Sequence, residues 1–158
     1  MIATELNPAL APVAFLLGAW RGEGEGRYPS ITPFRYREEI RFTHNGKPFL
    51  IYTQRTETID TGQPMHGEAG YLRLVGGGQV EFVIAQPIGY AEISLGRVDG
   101  QRIDVESASV ARTPTAKPVT SISRSLWVED DTLRYELKMG LNSAPLTQHL
   151  VARLRRTD

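Results

Sequence analysis

Histidine and methionine supply the candidate metal-binding chemistry of this 158-residue chain, which has three histidines, three methionines and no cysteine. Without cysteine there are no disulfides, no thiolate metal sites and no cysteine nucleophile. A bound metal must therefore use histidine, methionine or oxygen ligands. Imidazole is the most versatile of these groups, because it binds metals and also titrates near neutral pH.

The histidines differ in their surroundings. His44 lies in a predicted Asn-Gly hairpin turn, where a solvated role is expected. His66 follows Met65 and opens a strand in which Leu72 and Leu74 share its face. It therefore either lines the mouth of a cavity, with Met65 beside it, or bonds to nearby backbone at a strand end. The pattern does not separate the two alternatives.

His149 lies inside the last predicted strand, and here alternation is unhelpful. Leu150, Ala152 and Leu154 form the more apolar face, so a strict period of two would place His149 on the outside. A β-bulge, or cover on both faces, would change that assignment. Pattern alone favours a structural role for this residue over a metal-binding one.

Gly22, Gly24 and Gly26 are spaced by two residues. Neither a helix nor Gly-Lys-Ser/Thr follows them, so the spacing does not predict a phosphate loop. In a strand, such glycines leave one face bare. That face permits sharp barrel coiling or the close approach of a flat ligand.

No catalytic nucleophile or acid pair stands out. The chain has no G-x-S-x-G motif to place an activated serine. Glu38, Glu39, Glu57 and Glu68 all fit a solvent-facing alternation, so no pair of acids for glycoside hydrolysis is singled out.

Any functional site must be carried by strands, because apolar and polar residues alternate with a period of two from Trp20 onward. The clearest strand spans 133–139, and the apolar sets Val80, Phe82, Ile84 and Ala91, Ile93, Leu95 are each predicted to form a buried face. Glycine- and asparagine-rich turns separate most neighbours. With segments 48–58, 66–75, 101–107, 118–128 and 144–156, about ten strands are expected, and 112–118 is expected to be a longer loop.

A short helix is predicted before the strands. Asn7 caps it, Pro8 occupies its first turn, and Gly18 stops it after about Leu17. Nine or so apolar residues cannot form a stable helix alone, so this helix is expected to plug one end of the fold.

The sequence predicts one all-β domain over residues 1–158, a meander of about ten antiparallel strands closed into a barrel. Closure removes both exposed sheet edges and leaves room for one ligand, whereas a β-sandwich, the alternative, would pack without a cavity. The 18 basic and 18 acidic residues balance, so nucleic acid is not expected as a partner. The apolar stretch from Ala9 to Leu17 is too short to span a membrane, which predicts a cytoplasmic protein without a membrane partner.

A set of motifs in fixed order links this chain to a known family. Gly18, Trp20, Gly22 and Gly24 form a G-x-W-x-G-x-G motif. Three further segments follow it, Tyr28–Ile31, Pro64–Arg73 and Leu146–Leu150. Together they closely resemble the nitrobindin family over almost the whole chain.

The resemblance implies a ten-stranded barrel, similar to fatty-acid-binding proteins, that holds one haem b. The iron ligand of the family, a histidine in the last strand, corresponds to His149. The resemblance also implies that Met65 and His66 lie near the other haem face or its rim. It further places Gln86 and Met139 in the pocket, and Ser30 and Lys117 where haem contacts occur.

Function follows from the same resemblance. It implies that the ferrous protein binds nitric oxide and that the ferric protein isomerises peroxynitrite to nitrate at a five-coordinate iron. Two alternatives stay open at this point. One is a non-enzymatic carrier of a fatty acid or another apolar ligand, and the other is a nitric oxide sensor without catalysis. A homodimer is also compatible with the sequence.

Overall fold

Ten antiparallel strands close into a barrel in the computed structural model, which describes residues 3–157. Each strand pairs with its neighbours in sequence, and β1 pairs with β10 to complete the ring. The expected fold class is therefore confirmed. The strands are β1 (Gly18–Tyr28), β2 (Ile31–Thr43), β3 (Phe49–Glu57), β4 (Pro64–Gly76), β5 (Gln79–Gln86), β6 (Tyr90–Asp99), β7 (Arg102–Arg112), β8 (Val119–Glu129), β9 (Thr132–Leu141) and β10 (Thr147–Arg156).

A 3-10 helix, Pro8–Leu16, precedes the barrel and ends close to the predicted residue. The Asn7 side chain accepts the N–H of Ala9 at 3.0 Å, as expected for a cap. Pro12 inside the helix lacks an N–H donor, which suits a short 3-10 segment better than a regular α-helix. No helix in residues 3–157 is both long and apolar enough to cross a membrane.

The helix packs into the barrel core next to Trp20. Trp20 is fully buried, and its indole N–H donates to the carbonyl of Leu16 at 2.8 Å. The guanidinium of Arg156, on β10, stacks 4.1 Å from the centre of the Trp20 ring and donates to the carbonyls of Phe15 and Leu17. The tryptophan of the glycine-tryptophan motif thus fastens the helix to both terminal strands.

The glycines of β1 serve the coiling of the barrel. A Cβ at Gly22 would lie 2.0 Å from the carbonyl oxygen of Arg153 on β10, and one at Gly24 would lie 2.3 Å from the ring of Tyr36 on β2. The neighbouring strand and ring thus approach too closely for a side chain, which agrees with the sharp barrel coiling expected for a bare strand face.

The inner and outer faces of strand β6 are the reverse of the sequence prediction. Ile93 and Leu95 are 46% and 45% exposed on the outside, whereas Glu92 and Ser94 are fully buried. The prediction that the apolar face of this strand is buried was wrong. The reason is that the interior of this barrel is partly polar, so Glu92 and Ser94 find hydrogen-bond partners there and apolarity no longer marks the inner face.

Strand β7 is longer than predicted and leaves its partner early. It continues to Arg112, but its pairing with β8 covers only Arg102–Glu106. Beyond that point the strands separate, and the Ser107 hydroxyl accepts the N–H of Ile122 at 3.0 Å in place of a ladder bond. The loop that follows returns the chain to β8 at one end of the barrel.

Candidate ligand-binding cavity

A cavity of about 380 Å³ occupies the barrel interior and reaches one end. Because consecutive strands are antiparallel, the connections after β1, β3, β5, β7 and β9 all lie at that end, opposite the N-terminal helix. We call the lining residues near these connections the rim. The rim comprises Tyr28, Ser30, Ile31, Met65, His66, Ile88, Lys117, Pro118, Met139, Leu141, His149 and Leu150.

The bulge that alternation left open is present at His149. Gln148 pairs with Lys138 and Leu150 pairs with Leu137, so His149 is one extra residue on β10. The extra residue resets the alternation, and His149 and Leu150 both line the cavity. Local periodicity was therefore right for the rest of the strand and wrong for His149.

The His149 ring is held in one tautomer. Its Nδ1 lies 3.0 Å from the carbonyl oxygen of Arg27, and a carbonyl can only accept, so Nδ1 carries the hydrogen. Burial lowers the pKa of His149, and the charges of Lys117 and His66 lower it further, against the opposing bond to Arg27. The imidazole is therefore neutral near pH 7, with a free lone pair on Nε2. The Tyr28 ring packs edge-on against it, 5.7 Å between centres.

The structure brings the other predicted site residues to the same cavity. Ser30, Met65, His66, Gln86, Lys117 and Met139 all line it. Met65 is 44% exposed at the opening. The Nε2 of His66 lies 3.4 Å from the Glu68 carboxylate, and the Gln86 amide donates to Glu92 at 3.2 Å. Their expected haem contacts stay predictions.

A polar floor lies deeper in the cavity, and sequence reasoning missed it. We define the floor as Tyr36, Glu38, Tyr52, Gln54, Glu68, Arg124 and Tyr135, which all line the cavity. Glu38 is 2% exposed and Glu68 is 9% exposed, so the expectation that both face solvent was wrong. A usable signal existed, because Glu38 shares the face of Tyr36 and Ile40 on β2, both of which are buried.

Arg124 is the cationic centre of the floor. Its Nη1 donates to Glu68 Oε1 at 2.6 Å, and its Nη2 and Nε donate to the carboxylate of Glu92. Burial by itself would raise the pKa of Glu68, but Arg124, His66 and Tyr52 outweigh burial and lower it to about 2. Glu68 is therefore a carboxylate at every physiological pH.

Glu38 has the opposite electrostatics. Burial raises its pKa from 4.5 to about 8, and the nearby Glu68 charge raises it too, while hydrogen bonds from Gln54 and Tyr135 and the charge of Arg124 only partly compensate. Glu38 therefore holds its proton at neutral pH. The floor combines one neutral acid with an arginine shared by two other glutamates.

The raised pKa of Glu38 predicts a pH-dependent loss of stability. The folded protein keeps this proton up to about pH 8, whereas the unfolded chain releases it at 4.5, so stability falls as pH rises between these values. Over this range the ionisation of Glu38 lowers the free energy of unfolding by at most about 1.4 kcal/mol per pH unit. We expect Glu38→Gln to raise the thermal midpoint relative to wild type at pH 8.5 and to leave it nearly unchanged at pH 4.5, as measured by calorimetry.

Glu39, one position along on the outer face, is the matched control. Hydrogen bonds from Arg41 and Arg21 lower the pKa of Glu39 to about 2. The stability that ionised Glu39 gives the fold is therefore fully present above pH 4.5 and is lost as pH falls through 2. Glu39→Gln should therefore lower the midpoint at pH 8.5. Equal effects of the two substitutions would contradict the assignment of a buried neutral acid.

The rim has the donor set that a haem requires. It offers one neutral imidazole with a free nitrogen, an apolar wall that includes Ile31, Ile88 and Leu141, and a cation at Lys117. An iron porphyrin has a metal, a broad apolar ring and two carboxylates, which match these three features in turn. The residues present fit the group.

Comparison with known proteins agrees with this fit. Residues 9–156 match the model of the THAP4-like, heme-binding beta-barrel domain. The chain belongs to this family. The resemblance to the nitrobindins is thereby confirmed.

Individual relatives cover nearly the whole chain. It is 49% identical over 156 residues to a protein of Mycobacterium marinum named peroxynitrite isomerase 2, covering 96% of this chain and 97% of that one. It is also 49% identical to the peroxynitrite isomerase of Nocardia farcinica, covering 96% and 92%. The crystal structure of Rv2717c from M. tuberculosis superposes with a TM-score of 0.91 at 46% identity, covering 98% of this chain and all of that one.

Proposed function

We propose that this protein holds one haem b per chain through His149 and isomerises peroxynitrite to nitrate. The family is haem-binding, and relatives of 49% identity are named for this isomerase activity. The observation that carries the proposal is the His149 ring. Its Nδ1–H is fixed by the Arg27 carbonyl, so Nε2 is left free for a metal at the cavity.

The residues of the rim divide the work of holding the group. His149 Nε2 would bind the iron, and the Arg27 carbonyl orients the ring and increases its basicity as a donor. Lys117 and Ser30 line the same cavity and would pair with the carboxylates of the porphyrin. Met139, Gln86, Met65 and His66 also line the cavity, and Met65 and His66 would lie near the other face of the group or its rim.

A haem held by His149 would supply an iron that binds nitric oxide and that, in the ferric state, is a Lewis acid toward peroxynitrite. The chain contributes orientation and partial exclusion of water. Ile31, Ile88 and Leu150 line the opening with apolar side chains. An apolar wall limits side reactions of the reactive fragments with water.

The interior disfavours the alternative of a fatty-acid carrier. Burying a carboxylate requires a cation with free donors. Among residues 3–157, Arg124 is the only buried basic residue, and its guanidinium already donates hydrogen bonds to Glu68 and Glu92. A fatty acid entering headgroup-first would meet an arginine already paired with two glutamates and would gain no free buried cation.

The proposed activity is tested by stopped-flow decay of peroxynitrite. We expect the ferric haem-loaded protein to accelerate decay in proportion to its concentration and to raise the yield of nitrate over nitrite, while the haem-free protein does neither. If the ferrous protein binds nitric oxide but the ferric protein leaves decay unchanged, the sensor alternative replaces the enzyme.

A further inference from the structure

An open groove of about 410 Å³ lies on the outer wall of the barrel, where it crosses β1, β2, β8, β9 and β10. Its long side chains alternate along their strands with buried residues, so they point away from the barrel interior. We call this feature the outer groove. Its charged and aromatic lining includes Glu23, Glu25, Trp127, Arg134, Glu136 and Arg153.

Two arginines oppose each other in the outer groove. Arg134 on β9 and Arg153 on β10 are register partners, so their Cβ atoms are about 5 Å apart. Across the described part of the chain, neither guanidinium has a salt-bridge or hydrogen-bond partner. Like charges directly opposite each other destabilise a sheet. An anion that bridges the two guanidiniums would remove this repulsion and supply charge-assisted hydrogen bonds.

Two glutamates of the groove are engaged elsewhere. Glu23 is the register partner of Arg153 on β1, but its carboxylate accepts from Arg35 at 2.6 Å. The Glu25 carboxylate lies 3.7 Å from the guanidinium of Arg27. Arg153 is therefore beside an acid that another arginine already holds.

The wall of the groove beyond Arg134 is aromatic. Trp127 on β8 is the register partner of Arg134, is partly exposed and lines the groove. The Arg102 guanidinium stacks 4.8 Å from the centre of its ring but does not itself line the groove. Asp104 and, less strongly, Glu136 raise the pKa of Arg102, so the charge of Glu136 also acts on that arginine. An indole beside two unpaired guanidiniums favours an anion that carries an aromatic ring.

We propose that the outer groove binds a small aromatic phosphate monoester. Its phosphate accepts hydrogen bonds from Arg134 and Arg153, and its ring packs against Trp127. A phosphate monoester has a charge of about −1.5 to −2 at pH 7, which matches two guanidiniums better than the single charge of a carboxylate does. The Nε of Arg134 is buried, so the phosphate meets the terminal Nη nitrogens. This inference is independent of haem and of the proposed isomerase activity.

The test titrates phenyl phosphate into the full chain, without added haem and in phosphate-free buffer of low ionic strength. Tryptophan emission is the readout, because Trp127 borders the groove whereas Trp20 is fully buried. We expect a saturable change in emission that Trp127→Phe abolishes. Inorganic phosphate should bind about fivefold more weakly, because it lacks the ring, and phenol should not bind at the same concentrations.

Three variants assign the charge requirement to the opposed pair. Arg134→Gln and Arg153→Gln should each weaken the binding of phenyl phosphate by at least about tenfold, since each removes a charge-assisted hydrogen bond. Arg155→Gln is the matched control, because Arg155 is exposed on the same strand and does not line the groove. It should change the affinity by less than about twofold. Circular dichroism checks that all three variants are folded.

The outer groove is rejected as a phosphate site if phenyl phosphate gives no saturable signal with the wild-type chain. Equal losses in Arg153→Gln and Arg155→Gln would mean that only the overall surface charge matters. Phenol that binds as tightly as phenyl phosphate would contradict the role of the arginines. Inorganic phosphate that binds as tightly as phenyl phosphate would contradict the role of Trp127.

Discussion

Replacing His149 with alanine is expected to abolish or strongly shift the Soret band of the reconstituted protein and to weaken haem binding by more than about 100-fold. Loss of a residue that merely orients a metal ligand costs 10–100-fold in metal affinity, so loss of the ligand itself should cost more. The Arg27 carbonyl and the apolar rim remain in the variant, but neither binds iron. The measurement is a haem titration followed by absorption spectroscopy.

Two controls make the His149 result specific. His44→Ala removes an imidazole whose Nδ1 accepts the N–H of Gly46 in a turn outside the cavity, and it should leave the spectrum unchanged. Free imidazole added to His149→Ala should return the Soret band toward its wild-type position by entering the vacated space. A wild-type spectrum in His149→Ala would reject this residue as the ligand.

Replacing Arg124 with methionine is expected to destabilise the barrel by about 3–5 kcal/mol, because it leaves two buried carboxylates without their cation. The side chains of Arg124, Glu68 and Glu92 are 8%, 5% and 0% exposed, so water replaces the lost bonds poorly. Part of the loss is offset if the carboxylates take up protons. The free energy of unfolding in urea at pH 7 measures the effect.

A rescue experiment isolates the buried charge as the cause. Adding Glu68→Gln and Glu92→Gln to Arg124→Met removes both uncompensated charges and should recover most of the lost stability. Arg102→Met, on the outer face of β7, breaks an exposed pair with Asp104 and should change stability by less than about 1 kcal/mol. If the triple variant is no more stable than Arg124→Met, packing rather than charge accounts for the loss.

Much of the fold could be read from the sequence because its signals are local. The alternation within β9 can be recognised from neighbouring residues alone. The same is true of the Gly-rich turn at 76–78, whose residues have positive φ. The same local signals gave the cap at Asn7 and the ten-strand count. They also showed that a cysteine-free chain must use another kind of metal ligand.

Apart from Glu38, which shares a face with Tyr36 and Ile40, the polar interior was beyond those signals. Glu68 and Arg124 are 56 residues apart, and either alone on a strand resembles a solvent-facing charge. Only closure of the barrel brings β4 and β8 across from each other. In β6 the apolar residues Ile93 and Leu95 were mistaken for the inner face for the same reason, since Glu92 is buried with partners that include the distant Arg124.

The sequence by itself determined the barrel, its strand order and the presence of one histidine in the last strand. The tertiary structure alone decided that His149 faces the cavity. A side-chain period of two is a property of one strand, but the bulge at His149 depends on the register between β9 and β10. The ring is then fixed by the carbonyl of Arg27, 122 residues away, and such long-range contacts exist only once the sheet has closed.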